Sequence, residues 1–388
     1  MKIAFITNLP SHFHTRLFET IAEHYDTDFL FFSDRSESWV EKRNEFRFGK
    51  YKGDYVQGTR VSSRLRVNTA LVRRLVRGKY DVIIQSINGR FELPASFLTA
   101  KTLNKPFILW TNLWFHPQTL FHRFSFPITK YIYRHADAII AYGYHVRDYL
   151  TRLGVDEKKI FYSWNVTDND LFNKSISAEV LESLRSRYCL HGRRPILFVG
   201  RLSREKGLNY LLEAYEDLPV ELNASLILVG EGEEKARLVD LVEMNQLNHV
   251  HFAGYVPNHE LAPYYAVAEV LVLPSITTKT LKEVWGIVLN EAMNQGCPVI
   301  ATTAVGAAMG GLVEEGKNGL IVPEKDSEAL AGAITQILSD QRKSQEMKAY
   351  TKEVIKNWDH HKSFKGFQQA IEHVLGLESN NTRGNGGQ

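Results

Sequence analysis

Cysteine is nearly absent from this sequence: Cys189 and Cys297 are the only two in 388 residues. Two isolated thiols build neither a disulfide framework nor a zinc site, and they point to free thiols in a reducing compartment, the cytoplasm. On that reading the sequon Asn165-Val166-Thr167 is fortuitous. Long apolar runs are missing too. No window reaches eighteen apolar residues, which excludes a transmembrane helix. The start has one Lys and a short apolar stretch, Ile3 to Ile6, soon followed by Asn8-Leu9-Pro10, which does not make a signal peptide. Acidic residues are scarce in the first half. Residues 1–190 hold 28 Lys+Arg against 19 Asp+Glu, and the remainder holds 19 against 25. The two halves therefore suit different partners.

What is present is ordinary core-forming material, with 44% apolar residues over a length that suits two domains. Short apolar runs alternate with longer helical patterns. The first half reads as strands near Lys2–Thr7, Asp28–Phe32, Asp81–Gln85, Phe107–Thr111, Ala138–Tyr142 and Ile160–Trp164. The second half adds Ile196–Val199, Ser225–Val229, His251–Ala253, Val270–Leu273, Val299–Thr302 and Gly319–Val322. Unbroken apolar runs of this length suit strands buried on both faces of a parallel sheet. Strand and helix alternating twice over predicts two doubly wound α/β domains in tandem. The expected boundaries are residues 1–180 and 190–358, with a helix over 359–376 that crosses back to the first domain and a disordered Gly/Asn-rich tail over 377–388.

Ligands of such sheets collect at the carboxyl ends of strands. Two strings lie there. Gly200-Arg201-Leu202-Ser203-Arg204-Glu205-Lys206-Gly207 follows the run Ile196–Val199. Gly200 permits close approach of a ligand, Arg201 grips phosphate oxygens in a fork, and Lys206 adds a compact charge. Each charge-assisted bond is worth about 1.5–3 kcal/mol. The second string runs from Glu283 to Glu291 after Val270–Leu273 and a polar loop. Gly286, Ile287 and Val288 would offer amides at the start of a helix, Glu291 would accept from a ribose diol, and Glu283 would contact a sugar ring. Were the span fully helical, the two glutamates would lie about 12 Å apart, too far for a glycosidase pair and suited to the two ends of one extended ligand. The bland alternatives are a solvated basic loop and an amphipathic surface helix. Two carboxylates for hydroxyls and two cations for a diphosphate together favour a nucleotide-sugar.

The second half resembles the retaining GT-B glycosyltransferases of glycosyltransferase family four, the glycosyl transferases group 1. The resemblance runs through Phe198-Val199-Gly200-Arg201-Leu202, Glu205-Lys206-Gly207, Leu228-Val229-Gly230-Glu231-Gly232, Phe252-Ala253-Gly254-Tyr255-Val256, Pro274-Ser275, the Glu283-to-Glu291 span, Gly296-Cys297-Pro298-Val299-Ile300 and Asn318-Gly319-Leu320-Ile321-Val322. It implies two facing Rossmann-like domains with an interdomain cleft. It also implies a sugar transferred from a nucleotide donor with retention, no metal and no cofactor. By position it assigns the diphosphate to Arg201 and Lys206, the ribose to Glu291, and the donor sugar to Glu283. His116, in Trp110-Thr111-Asn112-Leu113-Trp114-Phe115-His116-Pro117, would contact the reacting sugar from the first domain. Two departures stand out. Asn8-Leu9-Pro10-Ser11-His12-Phe13-His14 lacks the glycine pair common after the first strand, and Val284 stands where proline is frequent.

The acceptor expected from this reading is a glycan or a lipid-linked sugar, received by Trp114, Phe115, Phe121, Phe124 and Phe126. Arg60, Arg64, Arg66, Arg73, Arg74, Arg77 and Lys79, read as one helical stretch with Leu65, Val67, Leu71 and Leu75, suggest contact with an anionic membrane at its inner face. No recognised nucleic-acid module accompanies them. The competing readings are a nucleotide-sugar epimerase of similar shape and a non-catalytic nucleotide-sugar-binding protein.

Overall fold

A computed structural model of the chain describes residues 1–33, 49–60 and 66–377. In chain order the first part contains β1 (Lys2–Thr7), β2 (Asp26–Phe31), β3 (Gly53–Tyr55), a short antiparallel ribbon of β4 (Thr59–Arg60) and β5 (Arg66–Val67), then β6 (Val82–Ser86), β7 (Phe107–Thr111), β8 (Ala138–Ala141) and β9 (Ile160–Tyr162). The second part contains β10 (Arg194–Val199), β11 (Ala224–Val229), β12 (Val250–Gly254), β13 (Val270–Leu273), β14 (Val299–Thr302) and β15 (Gly319–Val322). Two parallel sheets result, ordered β3-β2-β1-β6-β7-β8-β9 and β12-β11-β10-β13-β14-β15. Each is doubly wound, and the strand order reverses between β1 and β6 and again between β10 and β13. The physical cause is visible in burial: Val82–Ser86, Phe107–Thr111 and Val270–Leu273 are buried along their whole length, so both faces carry helices.

All twelve strands expected from the apolar runs form, within two residues at each end. The edge strand β3 was not expected. Gly53-Asp54-Tyr55 carries no apolar run and takes its place by pairing with β2. The basic stretch needs a correction. It is not one helix: Arg60 and Arg66 belong to the ribbon, Arg64 and Leu65 lie outside the described residues, and only Thr69–Arg77 is helical. Within that helix Arg74 turns inward to Asp28 and Asp54. Residues 378–388 also lie outside the described part.

The helix His360–Leu375 packs against the helix Thr15–His24 and against β8 and β9 of the first sheet. Ser363 Oγ lies 2.8 Å from Ser163 Oγ, and Phe367 is fully buried against Phe5 and Trp110. No helix among the described residues is long and apolar enough to cross a membrane.

Candidate active site

The crevice of the second sheet opens where β10 and β13 leave it. At the end of β10 the chain turns through the short 3-10 helix Arg204–Lys206 into Gly207, at φ +65°. A side chain at Gly207 would collide with the carbonyl oxygen of Pro274, so glycine lets this loop press against the exit of β13. That contact delivers Lys206 to Glu283, and the two side chains form an ion pair, each mostly buried. Ser275 Oγ donates to the same carboxylate oxygen at 3.3 Å. Arg201 is exposed at the exit of β10 and has no ion-pair partner among the described residues.

Glu283 is not helical. It pairs as an isolated bridge with Val305, and the helix begins only at Val288. The axial spacing expected for a helical span therefore does not apply. Gly286 makes the reversal, at φ +90°, where an added Cβ would stand 2.6 Å from Leu273 Cδ2. The preceding Trp285 is 1% exposed, and its indole donates to Asn290 Oδ1 at 2.8 Å. Gly286, Ile287 and Val288 follow at the start of Val288–Asn294, where amides have no intrahelical partner.

Glu291 lies deeper, 4% exposed, and accepts a 2.6 Å bond from Tyr265 OH. Burial pushes its carboxyl up to about 7, against the opposing effect of the Tyr265 bond. Tyr265, on the helix Ala262–Val267, was missed by sequence reading. So were the supports of the loop before Glu283: Thr277 donates its amide and its hydroxyl to Glu324, and Thr302 Oγ1 donates to the carbonyl of Ser275. No local pattern signals such long-range pairs.

The first domain closes on this loop. Trp114 Nε1 donates to the backbone carbonyl of Glu283 at 3.0 Å, and Gln118 N donates to Lys279 O at 2.8 Å. Lys282 Nζ stands 3.7 Å over the Trp114 ring, and burial lowers its pKa. His145 Nε2 donates to Val284 O at 3.3 Å, which fixes its tautomer, and burial depresses it to about 4. His116 faces its own domain. Its Nε2 donates to His122 O at 2.9 Å and its ring lies 4.0 Å from that of Phe126. His14 packs similarly, against Trp110 and within 3.0 Å of Tyr142 OH. The structure thus brings together Lys206, Glu283 and the Gly286 turn, keeps Glu291 behind them, and leaves His116 bonded within the first domain.

Two Rossmann-like domains facing across such a crevice define the GT-B class of glycosyltransferase folds. The family model for glycosyl transferases group 1 matches residues 189–354, and that for glycosyltransferase family 4 matches residues 29–170. The chain belongs to this family. It is 29% identical over 231 residues to an alpha-D-kanosaminyltransferase of Streptomyces kanamyceticus, covering 58% of each chain. It is 31% identical over 199 residues to a GDP-mannose-dependent alpha-(1-6)-phosphatidylinositol monomannoside mannosyltransferase of Mycobacterium tuberculosis, covering 50% of this chain and 51% of that one. These matches span little more than half of either relative's length. The fold is also that of Anabaena HepE in complex with UDP, at TM-score 0.74 and 19% identity over 96% of this chain and 100% of the other.

Proposed function

We propose that the chain transfers a sugar from a nucleotide-sugar donor to a glycan or lipid-linked acceptor, with retention of configuration and without a metal. The observation that carries this reading is the Lys206–Glu283 pair at the point where the second sheet's strand order reverses. It joins a phosphate-binding cation to a sugar-binding carboxylate. In the reading, Arg201 and Lys206 take the diphosphate, and the amides of Gly286, Ile287 and Val288 take phosphate or sugar oxygens. Glu283 exchanges its bond to Lys206 for the donor sugar, Glu291 holds the ribose diol, and His116 offers its Nδ1 to the reacting sugar.

The bond from the anomeric carbon to the phosphate oxygen breaks as the acceptor oxygen attacks the same face. The departing phosphate takes the acceptor proton, so no enzyme nucleophile is required. The protein's contribution is fixed positive charge where the leaving group develops negative charge.

The test is a thermal-shift screen of UDP-, GDP-, ADP- and dTDP-sugars with a chelator present. Ligand at about 100 times Kd stabilises by about 2.7 kcal/mol. A shift with one base, lost in Glu291→Ala, supports the donor site. No shift with any donor overturns it. A Glu283→Gln variant that binds nucleotide yet transfers no sugar separates the enzyme from a binding protein.

A further inference from the structure

The peptide next to the Glu283 side chain is held from the other domain. Val284 belongs to no helix or strand, and among the described residues the only hydrogen-bond donor to its carbonyl oxygen is His145 Nε2, at 3.3 Å. One residue earlier, Glu283 O is held by Gly306 N at 3.2 Å from its own domain and by Trp114 Nε1 at 3.0 Å from the first domain. Carbonyls outside a helix or ladder take the direction that such bonds give them. The Glu283 side chain hangs between these two carbonyls, so the groups that fix them also aim its carboxylate.

His145 reaches Val284 through a space that glycine leaves. It is the second residue of the helix Tyr144–Arg152 and is 4% exposed. Its ring enters the second domain beside Gly306, which opens the helix Gly306–Met309, and Gly310, which closes it. A Cβ at Gly306 would stand 2.9 Å from His145 Nε2 and 2.1 Å from Val284 O, and one at Gly310 would stand 2.8 Å from His145 Nδ1. The Trp114 ring meets the imidazole edge-on with centroids 4.9 Å apart, and Trp285 lies 6.0 Å away. A contact that needed only shape would be filled best by a hydrocarbon ring. Imidazole is the costlier occupant, because its Nδ1 is buried without a partner. Burial also keeps the ring neutral, which leaves it a single N–H. That N–H goes to Val284 O.

We propose that His145 is a positioning residue, which tethers the Val284 carbonyl from the first domain and thereby aims the Glu283 carboxylate at the donor sugar. The role of Glu283 rests on the transferase reading above, whereas the tether itself does not. The sugar then meets a fixed carboxylate only while the two domains touch at this joint. The nucleotide, whose contacts in that reading are Arg201, Lys206 and Glu291, binds without it.

Two variants of the whole chain separate the bond from the shape. His145→Phe keeps a ring in the socket and removes the donor. His145→Gln sets an amide N–H close to where Nε2 stands. Amide hydrogen exchange reads the tether with no substrate present. In His145→Phe, exchange from Glu283 to Ile287 quickens about tenfold while β7 and β13 keep the parent's protection. In His145→Gln it stays slow. Release of nucleoside diphosphate from UDP-, GDP-, ADP- and dTDP-sugars, with water as the acceptor, reads the aim. His145→Phe lowers kcat about 10- to 100-fold with the Kd for the nucleoside diphosphate unchanged, and His145→Gln recovers most of the loss. Parent-like exchange and kcat in His145→Phe overturn the proposal, since shape then suffices. So does a His145→Gln as impaired as His145→Phe, or exchange that quickens through β7 and β13 as well, which is a general loss of stability. A parent chain that turns over no nucleotide-sugar defeats the transferase reading, and the exchange data alone then decide the tether.

Discussion

Glu291 should make nucleotide binding pH-dependent, with a direction that its burial fixes. Its carboxyl stands at about 7 in the fold against 4.5 ordinarily. Without ligand, the folded state between those values holds a proton that the unfolded chain has lost. Stability therefore falls as pH rises across that window, by about 3 kcal/mol in all. Ligand acts in the opposite sense. A ribose diol brings two O–H donors, which need the ionised group as acceptor, so binding expels the proton. The Kd for the nucleotide then rises as pH falls below 7, about tenfold by pH 6 and about thirtyfold by pH 5.5. Calorimetric titration in two buffers of different ionisation enthalpy reads both the Kd and the protons released. Near pH 6 binding should release close to one proton. Glu291→Gln should bind weakly with no slope and no proton release. A Kd flat from pH 5.5 to 8 in the parent chain, or the same slope in Glu291→Gln, refutes the reasoning.

Three further outcomes follow from the geometry. Tyr265→Phe removes the donor to the buried Glu291, so the carboxyl should rise further and the break in the pH profile should move to higher pH. Urea unfolding should register a loss of about 1–3 kcal/mol from the same change. Lys206→Ala should lower kcat about 10- to 150-fold, because a charge-assisted bond to the leaving group is worth about 1.5–3 kcal/mol. A loss confined to KM would argue instead for ground-state binding. Gly286→Ala, forced to hold φ near +90° against Leu273, should cost about 1–3 kcal/mol in chemical denaturation and weaken donor binding; a variant as stable as the parent would show that the turn relaxes freely.

Much of the architecture was legible because buried parallel strands announce themselves as unbroken apolar runs. Val270–Leu273 has no polar residue to hide it, and Phe107–Thr111 has none until Thr111. Gly53–Tyr55 was invisible for the converse reason, since its place comes from a neighbour's edge and not from its own composition. In the proposed donor site, Arg201, Lys206, Glu283 and Glu291 stand out in the sequence by spacing and type. Their arrangement does not. A helical ruler fails between Glu283 and Glu291 because Glu283 pairs as a bridge with Val305 and the chain turns at Gly286, at φ +90°, before the helix starts at Val288. Tyr265, Trp114 and Glu324 act across the fold, and nothing local marks them. His116 was placed by its position after a strand; the partners that orient its ring, His122 O and Phe126, come from the fold.

The helix His360–Leu375 has a consequence for synthesis on the ribosome. Ser163 and Ser363 meet across 200 residues of chain, and Phe367 completes a cluster begun by Phe5 and Trp110. At about 5–20 residues per second, roughly 10–40 s separate the emergence of β9 from that of the helix that covers it. During that interval the nascent first domain carries a bare apolar groove beside β8, β9 and Thr15–His24. Its folding is therefore not vectorial: the domain that holds β1 to β9 is finished by a segment made 200 residues after Ser163, and a chain released before that segment would expose the groove to chaperone or protease.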